Sequence, residues 1–253
     1  MKGIILSAGQ GRRLLPMTAD TPKCALRIQG QSILEWQLHQ LAECGIDRVT
    51  VVLGFGANEV ELLLAARNQS NQVRTVYNPF FPVTDNLVSC WVAGADMNED
   101  FILLNGDTLF ETEVLKRLLG APSRQVILVT DHKSAYDADD MKVTLDGERL
   151  VRVGKDLPLG QTDGESIGML LFRGEGPALF FAAVERALRN PQALKQWYLS
   201  VIDKMAQLGL VWTLSIQGLQ WVEVDCPADL DQADKLVAKW RASTEGVVGI
   251  GSI

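Results

Sequence analysis

Arg12, Arg13 and Lys23 put three cations into one connection, "LSAGQGRRLLPMTADTPK" (Leu6 to Lys23), which follows the apolar start "KGII". Within it Gly9 and Gly11 allow the backbone to approach an anion and turn N–H groups toward it. Such a loop at the end of a first strand suits a polyphosphate; a solvated basic turn would use the same residue types. Far along the chain, Asp107 closes the run "FILLNGD" and Asp225 closes "LQWVEVD". Taken singly, Asp107 reads as a turn residue after glycine, and Asp225 as a helix N-cap ahead of Pro227. Taken with the basic loop, the two carboxylates read as ligands for Mg2+. That ion prefers oxygen and takes one or two carboxylates, completing its shell with phosphates and water.

Neither standard phosphate cradle fits the loop. A dinucleotide fingerprint needs a third glycine three residues after Gly11, for close helix packing, and that position is Leu14. The stretch also runs into Pro16 and Pro22 rather than a helix, and it lacks the glycine-lysine-serine or -threonine ending of a P-loop.

Positioning these groups requires an alternation of strands and helices, and the apolar periodicity supplies one. Strands are expected at "KGIILS", "RVTVVLG", "VRTVYN" and "FILLNGD"; helices at "SILEWQLHQLAECG", "NEVELLLAARNQ", "NLVSCWVAGADM" and "ETEVLKRLLG". This is the pattern of βαβ units on a parallel sheet, where ligands bind beyond the strands' carboxyl ends. After "RQVILVTD" the rhythm changes. "MKVTLDGERLVRVGK" reads as a hairpin turning at Asp146-Gly147, and "SIGMLLFRG" as a further strand. Helices are expected at "GPALFFAAVERALR" and "PQALKQWYLSVIDKMAQLG". The strand pair "LVWTLSIQG" and "LQWVEVD" and a last helix "PADLDQADKLVAKWRA" follow. The expected organisation is a single domain over residues 1–242, with 140–170 forming a hairpin lobe for an acceptor. Residues 243–253 lack periodicity and read as a C-terminal tail.

At 253 residues, 47% hydrophobic and 22% charged, the chain has globular proportions and needs no covalent staples. A net charge of −7 argues against a nucleic-acid binder yet leaves room for a local anion site. Cys24, Cys44, Cys90 and Cys226 are widely spaced and form no CxxC pair, so idle thiols in a reducing compartment are expected. No apolar run is long enough for a membrane span, and a cytoplasmic location is expected. Neither His39 nor His132 receives a role.

The segment "LSAGQGRRLLPMTADTPKCAL" resembles the signature of nucleotidyltransferases that join a nucleoside triphosphate to a phosphorylated sugar or alcohol, A-G-x-G-x-R-L-x-P-x-T followed by P-K. The resemblance implies a Rossmann-like α/β fold of GT-A type, with a mostly parallel sheet flanked by helices and a small β-hairpin acceptor lobe. It implies nucleotide contacts along Ala8, Gly9, Gln10, Gly11 and Arg12, with Arg13 on the departing pyrophosphate and Lys23 on the α-phosphate. Arg12 departs from the small hydroxyl residue often found there. N-G-D and E-x-D-x-P-x-D-L elements place Asp107 and Asp225 as the family's metal ligands, here for Mg2+. Glu223 stands just behind them, and Asp229 reads as a first-turn helix charge. Asn78 and the "DNL" triplet, Asp85, Asn86 and Leu87, resemble the elements that close over the base, with Asn86 in place of a glycine. An Asn-Pro turn and a helix N-cap would account for the same residues.

Across most of the chain, "VYNPFF", "DNLVSCWVA", "DDMKVTLD", "VGKDLP", "IGMLLF" and "WVEVDCPADL" resemble the phosphocholine cytidylyltransferase-like branch. That implies CTP as donor and a small phosphorylated alcohol as acceptor, gripped by Lys142, Lys155 and Tyr198. A quaternary ammonium needs aromatic faces, for which Trp91, Trp197, Tyr198 and Trp221 are the candidates. Leu199 stands where the family often has an acid, leaving inositol, glycerol, aminophosphonate or sugar phosphates open as acceptors. The competing expectations are a sugar-1-phosphate uridylyl-, thymidylyl- or guanylyltransferase, and a nucleotide-sensing module without turnover. Nucleic acid and membrane are not expected partners, and self-association is left open.

Overall fold

Lys2–Ser7, the run whose residues beyond Lys2 are all buried, forms strand β1 near the middle of the sheet. Strands covered on both faces are the mark of a parallel α/β sheet. A computed structural model describes residues 1–67 and 72–248. After β1 come two single turns of 3-10 helix, Arg12–Leu14 and Lys23–Ala25, and the short strands β2 (Arg27–Ile28) and β3 (Gln31–Ser32). Helix α1 (Ile33–Glu43) opens on a capping box, in which Ser32 accepts from the Glu35 N–H and Glu35 accepts from the Ser32 N–H. Next come β4 (Arg48–Leu53), α2 (Ala57–Ala65), β5 (Gln72–Tyr77) and α3 (Asn86–Val92). They are followed by β6 (Phe101–Asn105), β7 (Thr108–Phe110), α4 (Thr112–Leu119) and β8 (Val126–Asp131). The remainder comprises β9 (Lys142–Asp146), β10 (Arg149–Gly154), β11 (Gly164–Phe172), α5 (Gly176–Leu188), α6 (Leu199–Gln207), β12 (Trp212–Ser215), β13 (Trp221–Glu223) and α7 (Pro227–Val248).

Nine strands form one sheet in the order β5-β4-β1-β6-β11-β8-β12-β10-β9. The strands β5, β4, β1 and β6 are mutually parallel, and β11 runs antiparallel to both β6 and β8. Register pairs Ser7 with Leu53, Leu53 with Tyr77, and Leu6 with Asn105. The carboxyl ends of the four parallel strands therefore share one edge. Alternate residues of β1 feed opposite cores: Ile4 and Leu6 pack with α3, α5 and α6, and Ile5 with α1 and α4. A third cluster joins Leu14 and Trp36 to Val237 and Trp240 of α7, with the two indole rings 5.6 Å apart. This is the α/β Rossmann-like, GT-A-like nucleotidyltransferase fold that the motifs imply.

Several elements depart from expectation. The expected helix 58–69 ends at Ala65, and its positions Asn68 and Gln69 lie outside the described residues. Helix α3 stops at Val92, and a 3-10 turn covers Gly94–Asp96. The hairpin forms, but Asp146 pairs with Arg149, so its two-residue loop is Gly147-Glu148. The expected helix 191–209 is broken between a 3-10 segment, Pro191–Lys195, and α6. At the break the Leu194 and Gln196 carbonyls accept from the N–H groups of Asp85 and Leu87, bonds an unbroken helix would have used internally. The expected pair β12 and β13 are not neighbours: β12 joins β8 in parallel, while β13 makes a separate ribbon with β7. Finally α7 continues through 243–248, part of the expected tail; residues 249–253 lie outside the described residues.

Candidate active site

The turn after β6 and the segment after β13 are stitched together by a hydrogen bond from the Val224 N–H to the Asp107 carbonyl, 3.0 Å. That bond belongs to the continuation of the β7–β13 ribbon, and it brings the two aspartates face to face. Lys23 stands between them: its Nζ lies 2.7 Å from Asp107 Oδ2 and 2.6 Å from Asp225 Oδ1. The other Asp225 oxygen, Oδ2, takes Arg13 Nη2 at 2.7 Å. Burial works against the Lys23 charge, but Asp107 and Asp225 outweigh it, and its pKa is raised. Arg13 follows the same logic, with burial outweighed by Asp225 and Asp139.

The turn that carries Asp107 is fixed from behind. Gln37 of α1, fully buried, donates through Nε2 to the Asn105 and Thr108 carbonyls at 2.7 and 2.9 Å. The segment that carries Asp225 is held by Asp229, whose Oδ2 accepts from the Asp225 and Cys226 N–H groups. Gly11 has φ of +75°, and a Cβ there would lie 3.0 Å from the Lys23 Cβ. Its first task is thus to let the lysine stem pass; it also offers its carbonyl to Thr18 Oγ.

A cavity of about 280 Å3 opens beside this cluster. Ala8, Gly9, Arg13, Asn78, Asp85, Asn86, Asp107, Lys155, Tyr198 and Asp225, all expected at the site, line it. Asn78 is buried and locked, donating to Ser89 Oγ and accepting from the Phe80 N–H. Asp85 caps the Asn86 N–H, so its N-cap reading holds alongside its place on the cavity wall. Asn86 accepts from the Tyr198 N–H, and the Tyr198 hydroxyl donates to Asn105. Gly11 and Lys23 are not on the wall themselves, Lys23 meeting it through Asp107 and Asp225, and three more expected residues stand apart. Gln10 donates to the Thr18 carbonyl, and Arg12 is exposed away from the cavity wall. Lys142 is buried and points to the Asp137 and Asp140 carbonyls, bracing the loop before β9 instead of facing the cavity.

Of the aromatic candidates, Trp197 and Tyr198 line the cavity, while Trp91 and Trp221 do not. The Trp197 face is covered by Lys155, whose Nζ is 4.5 Å from the ring centroid. Sequence reading passed over Asp139, which reaches Arg13 Nη1 at 3.0 Å and Lys155 Nζ at 3.2 Å. Its signal, an acid-rich "YDADD" run, is also what a solvated loop looks like. Glu223 lies on the cavity wall too, its pKa raised by burial and then by the charges of Asp107 and Asp225.

Among the described residues, no three His, Cys, Asp or Glu side chains converge as an all-protein metal site. Two carboxylates do converge on one cation, and Asp107 Oδ1 is buried with no hydrogen-bond partner among the described residues. Asp107 and Asp225 are therefore the residues that could hold a hard divalent cation in company with phosphate oxygens.

A glycine loop, a buried lysine and paired carboxylates at the carboxyl edge of such a sheet are the equipment of a nucleotidyltransferase. The chain belongs to the MobA-like NTP transferase domain family, whose model matches residues 3–197. It is 28% identical over 240 residues to CMP-5'-(3-aminopropyl)phosphonate synthase of Streptomyces rubellomurinus, covering 92% of this chain and 38% of that protein. It is 25% identical over 239 residues to the bifunctional IPC transferase and DIPP synthase of Aquifex aeolicus, covering 93% and 51% respectively. The chain thus spans about half or less of the length of these relatives. The solved structure of the inositol-1-phosphate CTP transferase from T. maritima shares its fold, with a TM-score of 0.81 at 22% identity over 95% of this chain and 96% of that one.

Proposed function

We propose that this protein transfers CMP from CTP to a small phosphorylated alcohol, or to a phosphonate of similar size, and releases pyrophosphate. One observation carries the reading: Lys23 sits between Asp107 and Asp225, two wall residues of a cavity that Arg13 and Lys155 also line. The relatives whose names specify CMP, CTP or cytidylyl transfer support CTP as the donor. The small cavity, with a lysine already seated on the Trp197 face, favours a compact acceptor over a bulky cation.

In the proposed reaction an acceptor phosphate oxygen forms a bond to the α-phosphorus. The α–β bridging bond breaks, and its electron pair leaves with pyrophosphate. No side-chain base is needed, because the attacking oxygen is already anionic near neutral pH. The chain's part is to hold two anions together and to meet the charge that develops. Lys23 is placed to move from its carboxylate partners onto the α-phosphate, and Arg13 onto the departing pyrophosphate. Asp107 and Asp225 would hold Mg2+, which when bound supplies positive charge against the polyphosphate.

Pyrophosphate release is the test, measured with each of CTP, UTP, GTP, ATP and dTTP across a panel of phosphorylated acceptors. Turnover with CTP is expected, and turnover with UTP or dTTP alone would replace this reading with sugar-1-phosphate nucleotidyl transfer. Asp107→Asn should remove turnover by about 10²-fold or more with the far-UV spectrum unchanged. Full activity in that variant would strip Asp107 of its role.

A further inference from the structure

We infer that Asp139 is an internal substitute for substrate phosphate, and that its bridge between Arg13 and Lys155 couples the binding of donor and acceptor. The two carboxylate oxygens are divided between the two cations, Oδ2 to Arg13 Nη1 at 3.0 Å and Oδ1 to Lys155 Nζ at 3.2 Å. Arg13 comes from the first loop and Lys155 from the end of the β9–β10 hairpin, so the bridge spans the cavity mouth between the two halves of the site. Both cations pull the Asp139 pKa down, Lys155 first, which keeps the bridging group ionised.

Asp139 differs from the other acids that hold these cations. The Asp107 and Asp225 side chains are about one-quarter exposed, whereas that of Asp139 is 67% exposed. Its loop is anchored without it. Lys133 reaches Asp140 and Glu165, Lys142 reaches the Asp137 and Asp140 carbonyls, and Asp137 Oδ1 accepts from the Asp139 and Asp140 N–H groups. The Asp139 carboxylate can therefore rotate into water with the loop backbone in place.

A phosphate arriving on Arg13 removes one of the two partners of Asp139 and sets a like charge beside it. The carboxylate then has reason to leave Lys155 as well, and the second anion finds a cation already released. The same argument runs from the acceptor end, as reciprocity of coupling requires. This deepens, and in its donor arm rests on, the reading of the site as one for a nucleotide and a phosphorylated acceptor.

Calorimetric titration of inorganic phosphate into the wild-type protein, Asp139→Asn and Asp139→Glu, at fixed low ionic strength, tests the bridge. Asp139→Asn should bind phosphate about 3- to 10-fold more tightly than wild type, as expected for releasing exposed ion pairs. Asp139→Glu, which keeps the charge, should stay close to wild type. Repeating the titration with saturating α,β-methylene-CTP, which lacks a cleavable bridge, should erase the difference between wild type and Asp139→Asn. A purely structural role for Asp139 predicts weaker binding in the Asn variant. Weaker or equal phosphate binding, or binding to neither protein, overturns the inference. If the analogue does not bind, the CTP reading falls, and the titration without nucleotide still decides the bridge.

Discussion

Lys23 has its carbon stem fixed before its charge is used. Its stem packs against Gly11, its side chain is only 10% exposed, and its ammonium has two carboxylate oxygens within 2.7 Å. A guanidinium is planar and wider than an ammonium, and it cannot enter the same slot. Lys23→Arg should therefore behave like Lys23→Met, each lowering the rate of pyrophosphate release by about 10²- to 10³-fold. Near wild-type turnover in the arginine variant would mean that charge alone, at any position in the mouth, is enough. At this scale the sequence was most informative where one residue type has few other uses. A glycine pair followed by arginine and by Pro-Lys is such a case. Asp139 was illegible because its partners, Arg13 and Lys155, lie on other elements. No local spacing records such a meeting. Lys142 was misleading for the converse reason: a strand lysine in a resembling segment can be spent on backbone carbonyls.

At the scale of elements, β11 ties the parallel half of the sheet to the hairpin lobe. It pairs with β6 and β8, and through Gly164 and Glu165 with β9. Its register shifts between Ser166 and Leu170, where Gly168 has φ of +73° and a Cβ would lie 2.4 Å from Asn105 Nδ2. Glu165 sits just before that bulge with its side chain 7% exposed and Lys133 Nζ at 3.0 Å. Burial, aided by Asp140, outweighs Lys133 and pushes the Glu165 pKa up from 4.5 to about 7. The folded protein then holds this proton where the unfolded chain has lost it. The stabilisation is fully present below about pH 4.5 and is lost as pH rises through about 7. Relative to Glu165→Gln, which cannot ionise, the wild type should lose up to about 3 kcal/mol over that window. Urea denaturation of both proteins at pH 5 and pH 8 measures it, and parallel pH profiles would contradict it. Most strands and helices were legible from apolar runs and 3.6-residue spacing. The break before α6 was not, because "KQWYLSVIDKM" keeps helical spacing straight through it. What ends the helix there is a bond to the Asp85–Leu87 turn, more than a hundred residues away in sequence.

For the whole molecule, the question is whether the acceptor lobe is a unit of its own. We propose that residues 1–242 are one cooperative domain. The sequence already pointed this way, since the rhythm changes after β8 but no linker-like stretch marks a boundary. The packing supplies an argument. One cluster of buried side chains contains Ile4 and Leu6 of β1, Val143 of β9, Leu150 and Val153 of β10, and Ile202 of α6. Separating the lobe would expose part of that cluster and strip β9 from β11, leaving strand edges and apolar faces in water. The buried apolar side chains of β9 and β10 all belong to this shared cluster, so the lobe has no separate core to stand on once the cluster opens. Scanning calorimetry of the ligand-free protein should then show a single transition, with calorimetric and van't Hoff enthalpies in agreement. The Lys155→Ala variant, which removes a lobe cation from the mouth without touching that core, should show a single transition as well. Two resolved transitions in the wild type would divide the chain at the lobe. The bridge through Asp139 would then span two units that move apart, and binding of the two substrates would be governed by hinge closure more than by one carboxylate.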